Sequence, residues 1–194
     1  STSVEKTCAK IELAEQEQFF TVQPYAGWDA KNWQEEKIVA VVNGFVKETG
    51  LTPVFIGGFT DRERIDKMRE RIEARNISAA GLLELGETLA LISSARIHFG
   101  VDSVGSHMAA AAGVRSVTLF GPTNPRLIAP LSADNIVILR EISCSPARDK
   151  LYCALDAGRL CPQFKCMESL DAKEVLAILI GHWKGSDQNQ IVSL

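Results

Sequence analysis

The stretch "FGVDSVGSHMAAAAG", Phe99 to Gly113, sets Asp102, Ser103, Gly105, Ser106 and His107 between an apolar run and a run of alanines. An apolar stretch that breaks into small polar residues and then into alanines reads as a buried strand, a loop and the opening of a helix. In an open α/β sheet that junction is where ligands bind, outside the carboxyl ends of the strands. The neighbouring segments decide whether the fold is such a sheet.

Towards the N-terminus, "FFTVQPY" (Phe19 to Tyr25) is β-rich and ends at a turn. Trp33 to Gly50 then places Ile38, Val41, Val42, Phe45 and Val46 on one helical face, closed by a C-terminal Gly. "TPVFIGG" (Thr52 to Gly58) is a second short apolar run, followed by a charged helix over about Asp61 to Arg75 and a small connecting segment to Gly81. "LLELGETLALISSA" puts Leu82, Leu85, Leu89 and Ile92 on one helical face. Beyond it "RIHFGV" reads as a strand, the alanine run as a helix, "SVTLFGP" and "NIVILR" as strands, and about Asp171 to Trp183 as an amphipathic helix. Strands alternating with helices imply parallel pairing through crossover helices, an α/β fold with a doubly wound parallel sheet. Residues 1–18 read as a lead-in segment, 19–184 as the folded domain with a Cys-rich segment over 144–166, and 185–194 as a polar tail or docking segment.

Composition narrows the function classes. With 194 residues, 46% hydrophobic and 23% charged, the chain suits one large globular domain. A net charge of -3 without clustered Lys and Arg argues against a nucleic-acid binder. No apolar run approaches the roughly 18 residues of a transmembrane segment, and "STSVEKTCAK" has no signal-peptide core. The chain opens without Met, which suggests a processed or truncated piece of something longer. Cys8 stands alone, whereas Cys144, Cys153, Cys161 and Cys166 cluster without the paired spacing of a zinc knuckle. Reduced thiols in a packed loop, a four-thiolate metal site and a pair of disulfides all stay open.

Loops at four strand ends carry the candidate site. Ser103, Val104 and Gly105 open a helix whose first N–H groups lack intrahelical acceptors and favour anionic oxygens, and His107 lies one turn in. The plainer reading is that Asp102 or Ser103 caps the helix and Gly105 and His107 only pack. Gly121 and Thr123, in "TLFGPTNPRLIAP", follow the next strand, in what is otherwise an ordinary turn sequence. "AGWDAKNW" brings Lys31 to meet a phosphate, and "GGFTDRER" brings Glu63 or Asp61 to accept from ribose hydroxyls. Taken singly these are solvated loop charges; together they describe a site.

The ordered set "WDAKNW", "FIGG", "LGETLALISSA", "GVDSVGSHMAAAAG", "TLFGPTNP" and a closing "CMESL" resembles the family 9 glycosyltransferases, the lipopolysaccharide heptosyltransferases, over about Thr21 to Ile180. The resemblance implies a GT-B architecture of two Rossmann-like domains, of which this chain would be the sugar-nucleotide-binding half. It implies an ADP-sugar donor, ADP-heptose above all, met by Lys31 at the phosphates, Asp102 at the sugar, Ser103, Val104 and Gly105 as the phosphate loop, His107 beside them and Glu63 or Asp61 at the ribose. It implies inverting transfer to a lipopolysaccharide core acceptor without a required cofactor, in the cytoplasm or peripherally at the inner membrane. The base and acceptor surface would come from an N-terminal domain, so this chain alone would be inactive. Two departures stand out: Val104 replaces a family Gly, and Ala147 stands where a second Cys is usual, so a structural metal would fall to Cys144, Cys153, Cys161 and Cys166. A non-catalytic nucleotide-sugar module and a sugar-nucleotide epimerase are the competing readings.

Overall fold

The computed structural model describes residues 3–14, 16–185 and 190–194. Its centre is a parallel sheet of strands β1 (Phe19–Gln23), β2 (Thr52–Phe55), β3 (Ile77–Ser78), β4 (His98–Val101), β5 (Ser116–Phe120), β6 (Asn135–Leu139) and β7 (Gln190–Ser193), in the order β3-β2-β1-β4-β5-β6-β7. The chain steps outward from β1 to β3, then returns to start β4 against the other side of β1. That reversal leaves a crevice between the carboxyl ends of β1 and β4, the switch point at which such sheets take ligands.

The helices are α1 (Ser3–Lys10), α2 (Glu35–Thr49), α3 (Arg62–Arg69), α4 (Leu85–Ser94), α5 (Val104–Ala111), α6 (Pro125–Ile128), α7 (Lys165–Glu168) and α8 (Ala172–Trp183). In α2 the expected face is the buried one: Ile38, Val41, Val42 and Phe45 enter the core beside Phe20, Val117 and Leu179. Gly50 closes it at φ +71, where its N–H reaches the Val46 carbonyl at 2.8 Å. Only Gly takes that left-handed backbone at little cost. A second cluster gathers Cys8, Ile11 and Leu13 with Val54, Leu91, Ile92 and Ala109.

Several details differ from the sequence reading. Leu91 and Ile92 are the buried face of α4, while Leu85 and Leu89 are exposed. The cause is α1, whose buried Cys8 joins the cluster holding Leu91 and Ile92. Its Lys10 pairs with Glu87 at 2.8 Å. α3 ends at Arg69, and the chain beyond it turns so that Arg75 meets Glu17 at 3.1 Å. The connecting segment before Gly81 contains the short edge strand β3. Residues 190–193 dock on β6 as a strand.

Candidate functional site

The centre of the site is a buried ion pair at the β1/β4 crevice. After β1, the short turn Asp29–Lys31 sets the Lys31 ammonium 5.1 Å from the centroid of the Trp28 ring. After β4, the Asp102 N–H donates to the Leu119 carbonyl at 2.9 Å, which fixes Asp102 between β4 and β5. Lys31 Nζ lies 2.7 Å from Asp102 Oδ2, and Thr123, just past β5, donates its hydroxyl to the same oxygen at 2.6 Å. Asp102 is 3% exposed. A carboxylate so buried is tolerable only when paired and hydrogen-bonded, so Lys31 and Thr123 are what permit Asp102 to be there.

Beside this centre, the loop into α5 is held from below by Gln23, the last residue of β1. Gln23 Oε1 accepts the Gly105 N–H at 2.9 Å and Gln23 Nε2 donates to Ser103 Oγ at 3.0 Å. A Cβ on residue 105 would fall 2.3 Å from Gln23 Oε1 and 2.9 Å from His98 Cε1, so only Gly fits. Among the described residues, the N–H groups of Ser103 and Val104 have no protein acceptor. They stand at the N-terminus of an eight-residue helix, Ser103 as its cap and Val104 as its first residue, where an anion is favoured by free N–H groups and by the helix dipole. Beneath lies His98, wholly buried, with Nδ1 3.0 Å from the Thr21 hydroxyl and Nε2 without a partner among the described residues. Burial pushes its pKa down to about 4, so the ring is neutral.

The other expected residues are placed differently. Glu63 stands on α3 with its side chain in solvent and pairs with Lys67 at 2.6 Å. Asp61 accepts the Gly58 N–H at 2.9 Å and closes the turn after β2. Neither contacts the Asp102 centre. His107 is exposed and lines a groove of about 800 Å³ with Leu127, Leu131 and Ile191, a groove that contains neither Lys31 nor Asp102. Val104 is half-exposed at the start of α5. Gly121 lies against α7, where a Cβ would fall 2.7 Å from Met167 Sδ, and so serves packing.

The Cys-rich segment is fastened to this same edge. Asn124 Nδ2 donates to the carbonyls of Ala147, Arg148 and Lys150 at 3.1, 3.2 and 2.9 Å. The Cys153 N–H reaches the Pro122 carbonyl at 2.8 Å. Cys144, Cys153, Cys161 and Cys166 line one small cavity with Gly121 and Pro122, and none of them is in a disulfide. Hydrogen bonding from the Gln163 backbone N–H, with Lys165 and Phe164 adding to it, pulls the Cys161 pKa down, whereas burial pushes that of Cys166 up to about 11. Among the described residues no three His, Cys, Asp or Glu side chains are disposed to hold a metal ion.

The sequence pattern of glycosyltransferase family 9 (heptosyltransferase) matches residues 2–156, which contain all four of these strand-end loops. The chain belongs to that family. Lipopolysaccharide heptosyltransferase 1 of Pseudomonas aeruginosa, a curated relative, is 25% identical over 123 residues, 63% of this chain and 34% of its own length. The structure of E. coli ADP-heptose lipopolysaccharide heptosyltransferase II is similar with a TM-score of 0.75 at 21% identity, covering 94% of this chain and 51% of that one. TibC from enterotoxigenic E. coli, a dodecameric iron-containing heptosyltransferase solved with ADP-D-β-D-heptose, has a TM-score of 0.64 at 17% identity, covering 90% and 47%. The chain therefore spans about half the length of these solved relatives and about a third of the curated one. The fold is one Rossmann-like half of the GT-B heptosyltransferase architecture.

Within the family 9 frame, sequence reasoning missed Gln23, His98 and Asn124. Each carried a signal, because a lone Gln or His inside an apolar strand must find a partner or leave a polar atom unpaired. Asn124 precedes Pro125 at the start of α6, the position of a cap, and its Oδ1 accepts the Arg126 N–H at 3.1 Å.

Proposed function

We propose that this chain is the donor-binding half of an ADP-sugar-dependent glycosyltransferase, with ADP-heptose the preferred donor. The observation that carries the reading is the meeting, at one switch point, of the Lys31–Asp102–Thr123 cluster with the N–H groups of Ser103 and Val104, which have no protein acceptor among the described residues. Lys31 and those N–H groups suit a diphosphate, whose negative charge grows as the glycosyl bond breaks. Both contacts to Asp102 fall on Oδ2, so Oδ1 is the acceptor for a sugar hydroxyl. The names of two solved relatives, one an ADP-heptose heptosyltransferase and one bound to ADP-D-β-D-heptose, support the adenine nucleotide and the heptose. Inverting transfer needs a base to deprotonate the acceptor hydroxyl; in this reading the base and a lipopolysaccharide core acceptor belong to a preceding domain. In this reading the loop after β2 and the first turn of α5 close on the ligand, which brings Glu63 or Asp61 to the ribose and His107 to the phosphates.

Among the described residues no helix is long and apolar enough to cross a membrane. In this reading the protein works in the cytoplasm or peripherally at the inner membrane, where its acceptor is built. Calorimetric titration with ADP, UDP, GDP and ADP-heptose, repeated on Asp102→Ala, tests the proposal. Selective binding of the adenine nucleotides that the variant loses is the expected result. Equal binding of all three nucleoside diphosphates removes the assignment of the base, and no binding to any removes the site.

A further inference from the structure

We infer that Gln23 is a positioning residue which decides what hydrogens the Ser103–Gly105 turn presents to an anion, an inference that rests on reading this turn as the phosphate-binding part of the site. A primary amide has an accepting end and a donating end, and here each end is assigned by its neighbour. Only the oxygen can accept the Gly105 N–H, at 2.9 Å, so the nitrogen faces Ser103 Oγ at 3.0 Å. Ser103 Oγ is thereby an acceptor from the protein, and its single hydroxyl hydrogen is left to donate outward.

The turn then offers the Ser103 hydroxyl with the Ser103 and Val104 N–H groups, all donors, while the Gly105 N–H is withdrawn to the protein. Gln23 is 6% exposed and lies under the turn rather than in the ligand's place, so it acts through Ser103 and Gly105. The arrangement also explains Gly105, because any Cβ there would displace the amide oxygen. A carboxylate at position 23 would accept from Gly105 equally well, but it would also accept the Ser103 hydroxyl hydrogen and take it away from the ligand.

That contrast separates positioning from mere support. Binding of ADP and of adenosine is measured by calorimetry on the unmodified chain, Gln23→Glu, Ser103→Ala and the double variant, with melting temperatures alongside. Gln23→Glu buries a carboxylate that has two hydrogen-bond donors but no cation, so it is expected to melt below the parent while staying folded, and to bind ADP about tenfold more weakly, the scale of one hydrogen bond to a charged group, with adenosine binding unchanged. Ser103→Ala should lose a similar factor, and the double variant should lose no more than Ser103→Ala alone. The inference is overturned if Gln23→Glu binds ADP as the parent does, or loses adenosine equally, as a general defect would. It is also overturned if the double variant is weaker than Ser103→Ala, which marks plain charge repulsion. Should Gln23→Glu not fold, Gln23→Met removes both contacts, and its loss must again fall on ADP and spare adenosine. A parent chain that binds neither ligand overturns the reading of the site itself, and this inference with it.

Discussion

The Asp102 centre and the cysteine loop lie against the same strand end, yet they are held by opposite means. At the centre, both charges are nearly buried, at 18% exposure for the Lys31 side chain and 4% for that of Asp102, and their contacts come from three separate loops. The cysteine loop has only short helical turns, its four thiols are half-buried, and its anchors are backbone groups met by Asn124 and Pro122. The difference teaches where this fold tolerates change and where it does not. A buried pair cannot lose one member without stranding the other, whereas a half-exposed thiol can change with little consequence for folding.

The largest expected effect follows directly. Asp102→Ala leaves the Lys31 ammonium without its partner and should cost about 3 to 5 kcal/mol in urea unfolding, as broken buried pairs do. Cys161→Ser should stay within about 0.5 kcal/mol of the parent. Adding Lys31→Met to Asp102→Ala should recover part of the loss, since no charge then remains buried. Near-neutrality of Asp102→Ala would erase the distinction between the two regions.

The next effect sharpens the comparison from beneath. His98 has a folded-state pKa pushed down by burial to about 4, against 6.5 for a free imidazole. The unfolded chain therefore takes up a proton first, and the stability held at neutral pH is complete above about pH 6.5 and lost as the pH falls towards 4. A shift of that size corresponds to about 3 kcal/mol over the window. His98→Gln, compared with the parent in urea titrations at successive pH values, should remove that part of the acid dependence. Parallel curves for the two proteins would show that the ring titrates freely, and that the floor under Gly105 is open to water.

Why the sequence disclosed one region better than the other is a matter of range. Parallel strands separated by helices leave strong local periodicity, and α2 with its Gly50 closure could be read from spacing alone. The site loops were legible because the fold sends them to one edge, so Lys31, Asp102, Ser103 and Thr123 could be grouped before any contact was known. What could not be read is which neighbour each side chain faces. His107 follows Asp102 by five positions but turns towards α6 and β7, because Asp102 precedes α5 whereas His107 lies within it, on a face of the helix set by its position in the turn. Leu85 and Leu89 keep the spacing of a buried stripe, yet α1 helps decide which face of α4 is covered. β3, at two residues, is too short to show a period, and Gln23's role depends on a partner 82 positions away.

The smallest effect on stability is the most telling for the cysteine loop. Alkylation proceeds through the thiolate, so its rate follows exposure and pKa together. Backbone N–H groups of Gln163, Lys165 and Phe164 favour the Cys161 thiolate, while burial holds Cys166 protonated up to about pH 11. Iodoacetamide at pH 8, followed by peptide mass analysis, should label Cys161 first and Cys166 last, with the melting temperature little changed after the first addition. Two results break this picture. Prompt labelling of Cys166 would mean that the cavity beneath Gly121 opens readily, making the loop's attachment to β5 looser than the Asn124 bonds suggest. Protection of all four thiols until a chelator is added would mean that an ion draws them together. The loop would then resist change as strongly as the Asp102 centre does, through coordination bonds in place of buried charge.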